Sequence, residues 1–315
     1  MSNVKTRSSA DFFCLQGFKP IESGDFNLFR EYEGPARLIE LTATLSVNWA
    51  FASSGCYKIV MDYLCSVWFF ENGTCFCIQN KRGKYHSLKE LVDFLYDLSV
   101  RAGLTGLKIN FLDEVLLPDF TSVEGYDIHA AYDENLSEYV YRPANLLDLE
   151  GKNNQNKRTC INKFSKIDNL SFAELTPENF KYCFAVEERW CETQDCPACE
   201  ASCGCAKKSL ETMEVIFNPI IHHGMLAFMD NLPVAYGIWE KKENGIVFLY
   251  FAKSILDNFA IYFYYILVKK YLRDAEYINV GADMGIAGLR HFKGHLSEHE
   301  VWKNYFCTYQ RNGKL

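Results

Sequence analysis

A block of cations in the middle of the chain is the sequence feature with the clearest chemistry. Residues 151–166 contain four lysines and one arginine and no acid, in a chain whose net charge is −7. Lysine and arginine side chains in such a block can neutralise phosphate groups. The other interpretation is a solvated helix face or a linker, which is the usual role of a charge run. If the block binds phosphate, the candidate contacts are Lys152, Lys157, Arg158 and Asn162.

The second half of this block has the period of an amphipathic helix. Its apolar residues are expected to face a core: Cys160, Ile161, Phe164 and Ile167. Its polar residues recur every four positions: Arg158, Asn162 and Lys166. The pattern predicts a helix that is anchored on one side and presents a positive face on the other.

A cysteine-rich segment at residues 191–205 is the second candidate for chemistry. Four of its thiols could form a tetrahedral metal site: Cys196, Cys199, Cys203 and Cys205. Zinc is the first metal to expect from such ligands, and an iron–sulfur cluster is the alternative. A reduced, flexible loop is the competing interpretation, because no matching cysteine pair occurs elsewhere in the chain. A metal at this position would have a structural role.

The elements that must position these groups occur in an order that repeats. The first half is predicted to contain three strands, a helix that begins at Ser87 and a further strand, at residues 57–63, 65–71, 74–79, 87–103 and 107–111. Ser87 and Glu90 are predicted to form a capping box for this helix. Its predicted apolar stripe is Leu88, Leu91, Val92, Leu95 and Leu98. The second half is predicted to contain three strands, a helix capped by Asp257, a strand, a short helix and a last strand, at residues 225–229, 234–240, 246–252, 257–272, 277–280, 286–292 and 301–308. Thr176 and Pro177 are typical of the start of one more helix.

This order is that of a GNAT-type acyltransferase, and it occurs twice. The sequence therefore predicts an α+β protein with two GNAT-like domains in tandem, each a mixed, mostly antiparallel sheet flanked by helices. We place the first domain at residues 1–150 and the second at 151–315, with the cysteine-rich insert in the second.

Composition limits the classes of protein that the chain can belong to. Of the 315 residues, 49% are hydrophobic and 15% aromatic, which is typical of a chain with a large buried core. The longest apolar run, Phe259–Val268, is half the ~20 residues that a membrane helix needs. The polar N-terminus has no signal-peptide core, so we expect a cytoplasmic protein whose cysteines are thiols or ligands. Net negative charge argues against broad nucleic-acid binding and leaves room for a local site.

Two segments carry a resemblance to a known family: residues 139–164, which include the cationic block, and residues 279–290, with the sequence Asn-Val-Gly-Ala-Asp-Met-Gly-Ile-Ala-Gly-Leu-Arg. They resemble a bacterial family that shares the C-terminal domain of phosphatidylglycerol lysyltransferases. The resemblance implies a tandem GNAT fold. In the membrane lysyltransferases this fold moves an amino acid from aminoacyl-tRNA to a lipid headgroup, and related transferases add amino acids to cell-wall precursors. No counterpart of the long membrane-spanning part of the lysyltransferases is present in the sequence.

Acyl transfer to an amine or hydroxyl needs a group that accepts a proton and a donor that stabilises the oxyanion. Glu187, which lies beside Trp190 on a predicted helix, is a candidate base or amine-binding acid. Asp283, in the second signature, is the other candidate, and its alternative role is a helix cap.

The second signature and the short helix at its end supply further candidate substrate contacts. Asn279 is part of that signature. Arg290 and Lys293 could face an anion from the short helix, or they could satisfy the carbonyl groups at its C-terminus. With Trp190, these residues complete the predicted substrate site.

The choice of donor depends on the loop before the helix that follows the third strand. A CoA-dependent GNAT enzyme binds pyrophosphate there through backbone N–H groups, which requires small residues and no competing anion. The second-half loop, residues 253–258, has no glycine and contains Asp257, whereas the first-half loop, residues 80–86, is basic with one glycine. An aminoacyl-tRNA donor and a small-molecule acceptor are therefore favoured. The alternatives are a CoA-dependent N-acetyltransferase that uses the first-half loop and a non-catalytic GNAT-fold protein that binds a small ligand.

Overall fold

The structure is a computed structural model of the chain that describes residues 9–34, 37–45, 47, 55–70, 73–81, 87–194 and 206–313. It divides into two compact units. Unit 1 contains residues 1–134 and 303–315, and unit 2 contains residues 135–302.

Unit 1 is built on a mixed sheet flanked by helices. Its strands are β1 (Lys19–Pro20), β2 (Gly55–Val60), β3 (Tyr63–Phe70), β4 (Gly73–Gln79), β5 (Leu107–Asp113) and the part of β12 (Glu300–Arg311) that begins at Lys303. Its helices are α1 (Ser9–Leu15), α2 (Phe26–Tyr32), α3 (Leu88–Arg101) and α4 (Leu117–Thr121). Strands β1 to β4 are antiparallel neighbours, β5 runs parallel to β4, and β12 is antiparallel to β5.

Helix α3 makes the parallel connection between β4 and β5, and its sequence shows why it packs there. The five residues predicted to form its apolar stripe are all buried in the core of unit 1: Leu88, Leu91, Val92, Leu95 and Leu98. The predicted capping box is wrong. Ser87 is the residue before the helix, but its φ is +55° and its side chain makes no capping hydrogen bond.

Unit 2 has its own mixed sheet. Its strands are the part of β6 (Tyr126–Tyr141) from Asn135 onward, β7 (Leu170–Glu174), β8 (His222–Met229), β9 (Leu232–Lys241), β10 (Ile246–Ser254) and β11 (Tyr277–Ala282). Its helices are α5 (Pro143–Leu147), α6 (Gln155–Phe164), α7 (Lys181–Gln194), α8 (Ala206–Ile216), α9 (Phe259–Leu267), which continues as a π-turn over Val268–Leu272, and α10 (Ala287–Leu296).

The strands of unit 2 pair in the same pattern as those of unit 1. Strands β7 to β10 are antiparallel neighbours, β11 runs parallel to β10 after the α9 crossover, and β6 is antiparallel to β11. Each unit is thus an α+β, GNAT-like arrangement with a mostly antiparallel sheet, as the repeated element order predicts.

Two strands pair with strands that are distant from them in the chain. Strand β6 follows β5 in the chain but pairs with β11, and β12, the last strand, pairs with β5. The units are therefore divided at residues 134/135 and 302/303, which differs from the predicted boundary at 150/151. A boundary taken from element order places β6 and β12 with their sequence neighbours, so it cannot show that β6 pairs with β11 and β12 with β5.

Strands β10 and β11 separate toward their C-terminal ends. Their register covers three residue pairs, from Ile246↔Tyr277 to Phe248↔Asn279. Beyond this point Lys253 pairs with Tyr236 on β9, and Ala282 pairs with Glu138 on β6. The carboxyl ends of parallel strands are where open α/β sheets bind ligands, so this end of unit 2 is where candidate groups should be sought.

Candidate functional site

Glu187 is the centre of a buried polar cluster on α7. The predicted helix start is confirmed, because Thr176 and Asn179 form a reciprocal capping box in the 3-10 turn Pro177–Asn179 that precedes α7. Glu187 is 0% exposed. Its Oε2 accepts a hydrogen bond of 3.0 Å from the Tyr236 hydroxyl, and its Oε1 accepts one of 2.5 Å from the Lys253 ammonium. Glu187 is therefore held between β9 and β10.

Lys253 contacts both this carboxylate and Trp190, which was predicted to be part of the substrate site. Its Nζ lies 3.9 Å from the centre of the Trp190 ring, which is a close cation–π contact. The Lys253 side chain is 18% exposed, whereas that of Glu187 is 1% exposed. Of these two charged groups, Lys253 is thus the one that can meet a ligand.

The protonation of the neighbouring phenol follows from its surroundings. Burial, followed by the nearby Glu187 carboxylate, raises the pKa of Tyr236 well above its ordinary value. The phenol therefore keeps its proton at neutral pH and donates a hydrogen bond to Glu187. The cluster presents a fixed ammonium group that is oriented by a carboxylate, an aromatic face and a neutral phenol.

Asp283, the other predicted acid, lies at the end of β11 and is fully engaged. Arg290 donates to it through Nε at 2.8 Å and through Nη2 at 3.1 Å. The Tyr139 hydroxyl donates at 2.9 Å and the Gly285 amide at 2.8 Å. These contacts, the Arg290 hydrogen bond first, hold the pKa of Asp283 below its ordinary value. Asp283 is not the cap of α10, since Ile286 occupies that position.

Asn279 and Lys293 are buried next to Asp283. Asn279 donates through Nδ2 to the Glu138 carboxylate at 2.5 Å and accepts from the Gly281 amide at 2.9 Å. The Lys293 ammonium donates to three carbonyls at the end of β11, those of Val280, Gly281 and Ala282. These bonds tie Lys293 to this strand end.

The cationic block forms α6 and the 3-10 turn before it, with the phase that the sequence predicts. Phe164 is buried in the core of unit 2, and Cys160, Ile161 and Ile167 pack against that core. Lys152, Asn162, Lys163 and Lys166 are exposed. Two of the predicted phosphate-binding side chains form hydrogen bonds to nearby residues. Lys157 donates to Asn154 Oδ1 at 2.8 Å, and Arg158 Nη1 donates to the carbonyls of Leu149 and Gly151.

Helix α6 covers the first turn of α9. The Cys160 thiol donates to the Asn258 carbonyl at 3.0 Å, and the Phe164 ring lies 4.9 Å from that of Phe259. The predicted cap, Asp257, is wrong: the residue before the helix is Asn258, which has a φ of +61°. Asn258 has a left-handed backbone conformation, which asparagine adopts more readily than most other residues that have a side chain.

Lys253 is the functional candidate that sequence reasoning missed. The sequence pattern places it only in a loop without glycine, residues 253–258. Its significance comes from Glu187, which precedes it by 66 positions and which meets it only through the α7–β10 packing. A lone lysine at the end of a predicted strand was the sole sequence signal.

The four predicted zinc ligands lie outside the described residues, so zinc at the cysteine-rich insert stays a prediction. Among the residues that the structure does describe, no group of three or more histidine, cysteine or acidic side chains is arranged to hold a metal. None of the helices in that part of the chain has the length and apolar character needed to cross a bilayer.

The chain matches the family described as "Phosphatidylglycerol lysyltransferase, C-terminal" over residues 112–301. This match spans more than half of the chain and includes Glu187, Lys253 and both signature segments. No curated protein matches the chain significantly.

Several solved structures share the fold over most of the chain. A conserved protein of unknown function from Bacteroides thetaiotaomicron is 18% identical, with a TM-score of 0.80 over 93% of this chain and 99% of that one. L-PGS from Bacillus licheniformis is 11% identical, with a TM-score of 0.64 over 94% of each chain. FemX is 10% identical, with a TM-score of 0.59 over 92% of this chain and 96% of that one. At such identities the likeness shows the fold alone.

Proposed function

Because the chain belongs to the phosphatidylglycerol lysyltransferase C-terminal family, we propose that it is an acyltransferase that takes an amino acid from aminoacyl-tRNA and transfers it to an amine or hydroxyl acceptor. The observation that carries this proposal is the packing of α6 on the first turn of α9. The family name, that of a lysyltransferase, supports transfer of an amino acid. The resemblance carried by residues 139–164 and 279–290 supports aminoacyl-tRNA as the donor. Such a donor also places the reaction in the cytoplasm.

The α6–α9 packing disfavours CoA as the donor in unit 2. In a CoA-dependent GNAT enzyme, the pyrophosphate binds to the N–H groups of the helix that occupies the place of α9. Here Cys160 and Phe164 contact Asn258 and Phe259 at that position, and the Phe259 amide donates to the Leu256 carbonyl at 3.2 Å. Side chains of α6 thus pack on the first turn of α9, and the Phe259 N–H is used within the loop.

The same helix supplies the contact for a larger donor. The face of α6 away from the core carries Asn162 and Lys163, with Lys166 just beyond its end and Lys152 in the turn before it. Exposed lysines that are not committed to acidic partners can neutralise phosphates of a tRNA arm. We assign Lys157 and Arg158 a supporting role, because they hold the loop before the helix.

We assign the chemistry to Lys253. Its ammonium group can donate to the oxyanion that forms when the acceptor attacks the ester carbonyl, and such donors contribute most where water is excluded. Glu187 then acts by fixing the position and charge of Lys253, and Trp190 covers its other side. In this proposal Asp283 with Arg290 holds the loop beyond β11 in place.

A transfer assay tests the proposal. Wild-type protein is incubated with radiolabelled, mixed aminoacyl-tRNA and a cell extract that supplies acceptors, and label is followed from acid-precipitable tRNA to a smaller product. We expect transfer by wild type and none by Lys253→Met. Transfer that is equal in the two proteins, or absent in both while acetyl-CoA supports acetylation, would contradict the proposal.

A further inference from the structure

A pocket beside the cationic block is separate from the chemistry assigned to Lys253. It lies within unit 2 and has a volume of about 680 Å³. Its walls are the segment Leu147–Gly151, the α6 residues Arg158, Ile161 and Asn162, and Tyr265 on α9. The volume is in the range of small-molecule sites.

The charged groups of this pocket differ from those of the Glu187 and Asp283 clusters. Those acids are satisfied by protein donors, whereas the carboxylates of Asp148 and Glu150 form no hydrogen bond or ion pair anywhere in the described part of the chain. Arg158 uses Nη1 to bind the Leu149 and Gly151 carbonyls, and no described residue accepts from its Nε or Nη2. Acids and a guanidinium group thus line one pocket without pairing with each other.

The remaining walls suit a small organic ligand. Leu147 and Ile161 provide apolar surface, and the Asn162 amide and the Tyr265 hydroxyl have no partner among the described residues. The two local bonds of Arg158 fix the guanidinium and the segment that carries Asp148 and Glu150 in one arrangement.

We propose that this pocket binds a free α-amino acid as a zwitterion. The ammonium group of the ligand is held by Asp148 and Glu150, its carboxylate by Arg158 and Asn162, and its side chain against Leu147 and Ile161. A ligand with both charges matches the two kinds of wall, while an anion alone would be repelled by the acids and a cation alone by Arg158. The inference does not depend on the proposed transfer, since a protein without acyltransferase activity could bind such a ligand.

Three related probes test the assignment by isothermal titration calorimetry. L-leucine carries both charges, N-acetyl-L-leucine lacks the ammonium group, and L-leucinamide lacks the carboxylate. We expect saturable binding of L-leucine and at least about tenfold weaker binding of each analogue, the size of effect typical of a lost charge-assisted hydrogen bond. No saturable binding of L-leucine up to 10 mM, or equal binding of L-leucinamide, would overturn the proposal.

Matched variants locate the binding in this pocket. Asp148→Asn with Glu150→Gln removes two charges at nearly constant shape and should weaken L-leucine binding about tenfold or more. Asp168→Asn removes an exposed carboxylate that is not part of the pocket wall, and it should leave the affinity unchanged. Equal affinity in all of these proteins would place the ligand elsewhere and contradict the assignment. Asn162→Ala, which leaves the Arg158 bonds intact, should also weaken binding.

Discussion

At the scale of single residues, the two acids singled out as candidate bases are both held by cationic partners. Glu187 is paired with Lys253 and Asp283 with Arg290, at 2.5 and 2.8 Å. A carboxylate with its oxygens already bonded is a poor proton acceptor but a good anchor for the cation beside it. The two acids could therefore be used to locate the polar clusters from the sequence. The structure adds that the cation of each pair is the more exposed partner.

Removing the Lys253 charge tests its assigned role. Lys253→Met should abolish transfer, but it also leaves Glu187 as an unpaired buried charge, which is destabilising by about 3–5 kcal/mol in typical cases. The double variant Glu187→Gln with Lys253→Met removes both charges, so it should recover stability in thermal melts while transfer stays absent. Recovery of transfer in the double variant would show that Lys253 acts only through folding.

The Asp283–Arg290 pair should make stability depend on pH. Because Arg290 and the other donors lower the pKa of Asp283, the pair contributes stability that is complete above the unfolded value, near ~4, and is lost as pH falls through the lower folded value. Asp283→Asn should therefore lower the free energy of unfolding by about 2 kcal/mol at pH 7, and by less near pH 3. Urea titrations at the two pH values measure this difference, and a loss that is equal at both would contradict the account.

At the scale of elements, strongly periodic segments were predictable from the sequence. The stripes of α3 and α6 were identified from their spacing, because a 3.6-residue period leaves one consistent apolar face. Turns that depend on positive φ were not. The β2–β3 turn is formed by Met61 and Asp62, with φ of +50° and +66°, and methionine is a rare residue in that conformation. The predicted strand over residues 57–63 therefore runs through what is a turn.

The polar strand β6 was missed for a related reason. Its 16 residues include many exposed polar side chains, so its alternation is weak in the sequence. Pairing with β11 stabilises it through backbone hydrogen bonds that residue types do not reveal. The candidate site is predictable from the sequence to the same uneven degree. Glu187 and Trp190 follow from a predicted helix and Asp283 from the second signature, whereas Lys253 requires the tertiary contact.

The anchoring of α6 makes a prediction at this scale. Phe164 is buried and contacts the rings of Phe259 and Tyr262, so Phe164→Ala should lower the free energy of unfolding by about 3 kcal/mol. It should also loosen α6 from the start of α9. Hydrogen exchange should then be faster in residues 155–164 and 259–262 than in wild type. Lys163→Ala, on the exposed face of the same helix, is the matched control and should change neither quantity.

At the scale of the whole molecule, unit 1 is built from two separate segments of the chain, residues 1–134 and 303–315. The core of unit 1 includes Cys307 and Tyr309 from β12, and the Tyr309 hydroxyl donates to the Phe120 carbonyl at 2.8 Å. Unit 1 therefore cannot be completed by the first half of the chain alone.

A truncation series tests this dependence. A chain that ends at Trp302 should expose unit 1 to limited proteolysis, because β5 loses its antiparallel partner and the core loses two buried side chains. A chain that ends at Arg311 keeps all of β12 and should resist protease like wild type. If the shorter chain is equally resistant, β12 is dispensable and the division into units is contradicted.

The claim that the donor is aminoacyl-tRNA is tested most directly by its binding as a function of salt. Fluorescence anisotropy with labelled aminoacyl-tRNA should show binding at low salt that weakens as salt rises. Replacing Lys152, Lys163 and Lys166 together by Gln should weaken the complex and make the slope of log affinity against log salt shallower by roughly 2. Replacing Lys269 and Lys270, which are exposed on the π-turn after α9, should have a smaller effect. The account predicts this pattern, and it is contradicted if no tRNA binds at low salt while acetyl-CoA raises the melting temperature.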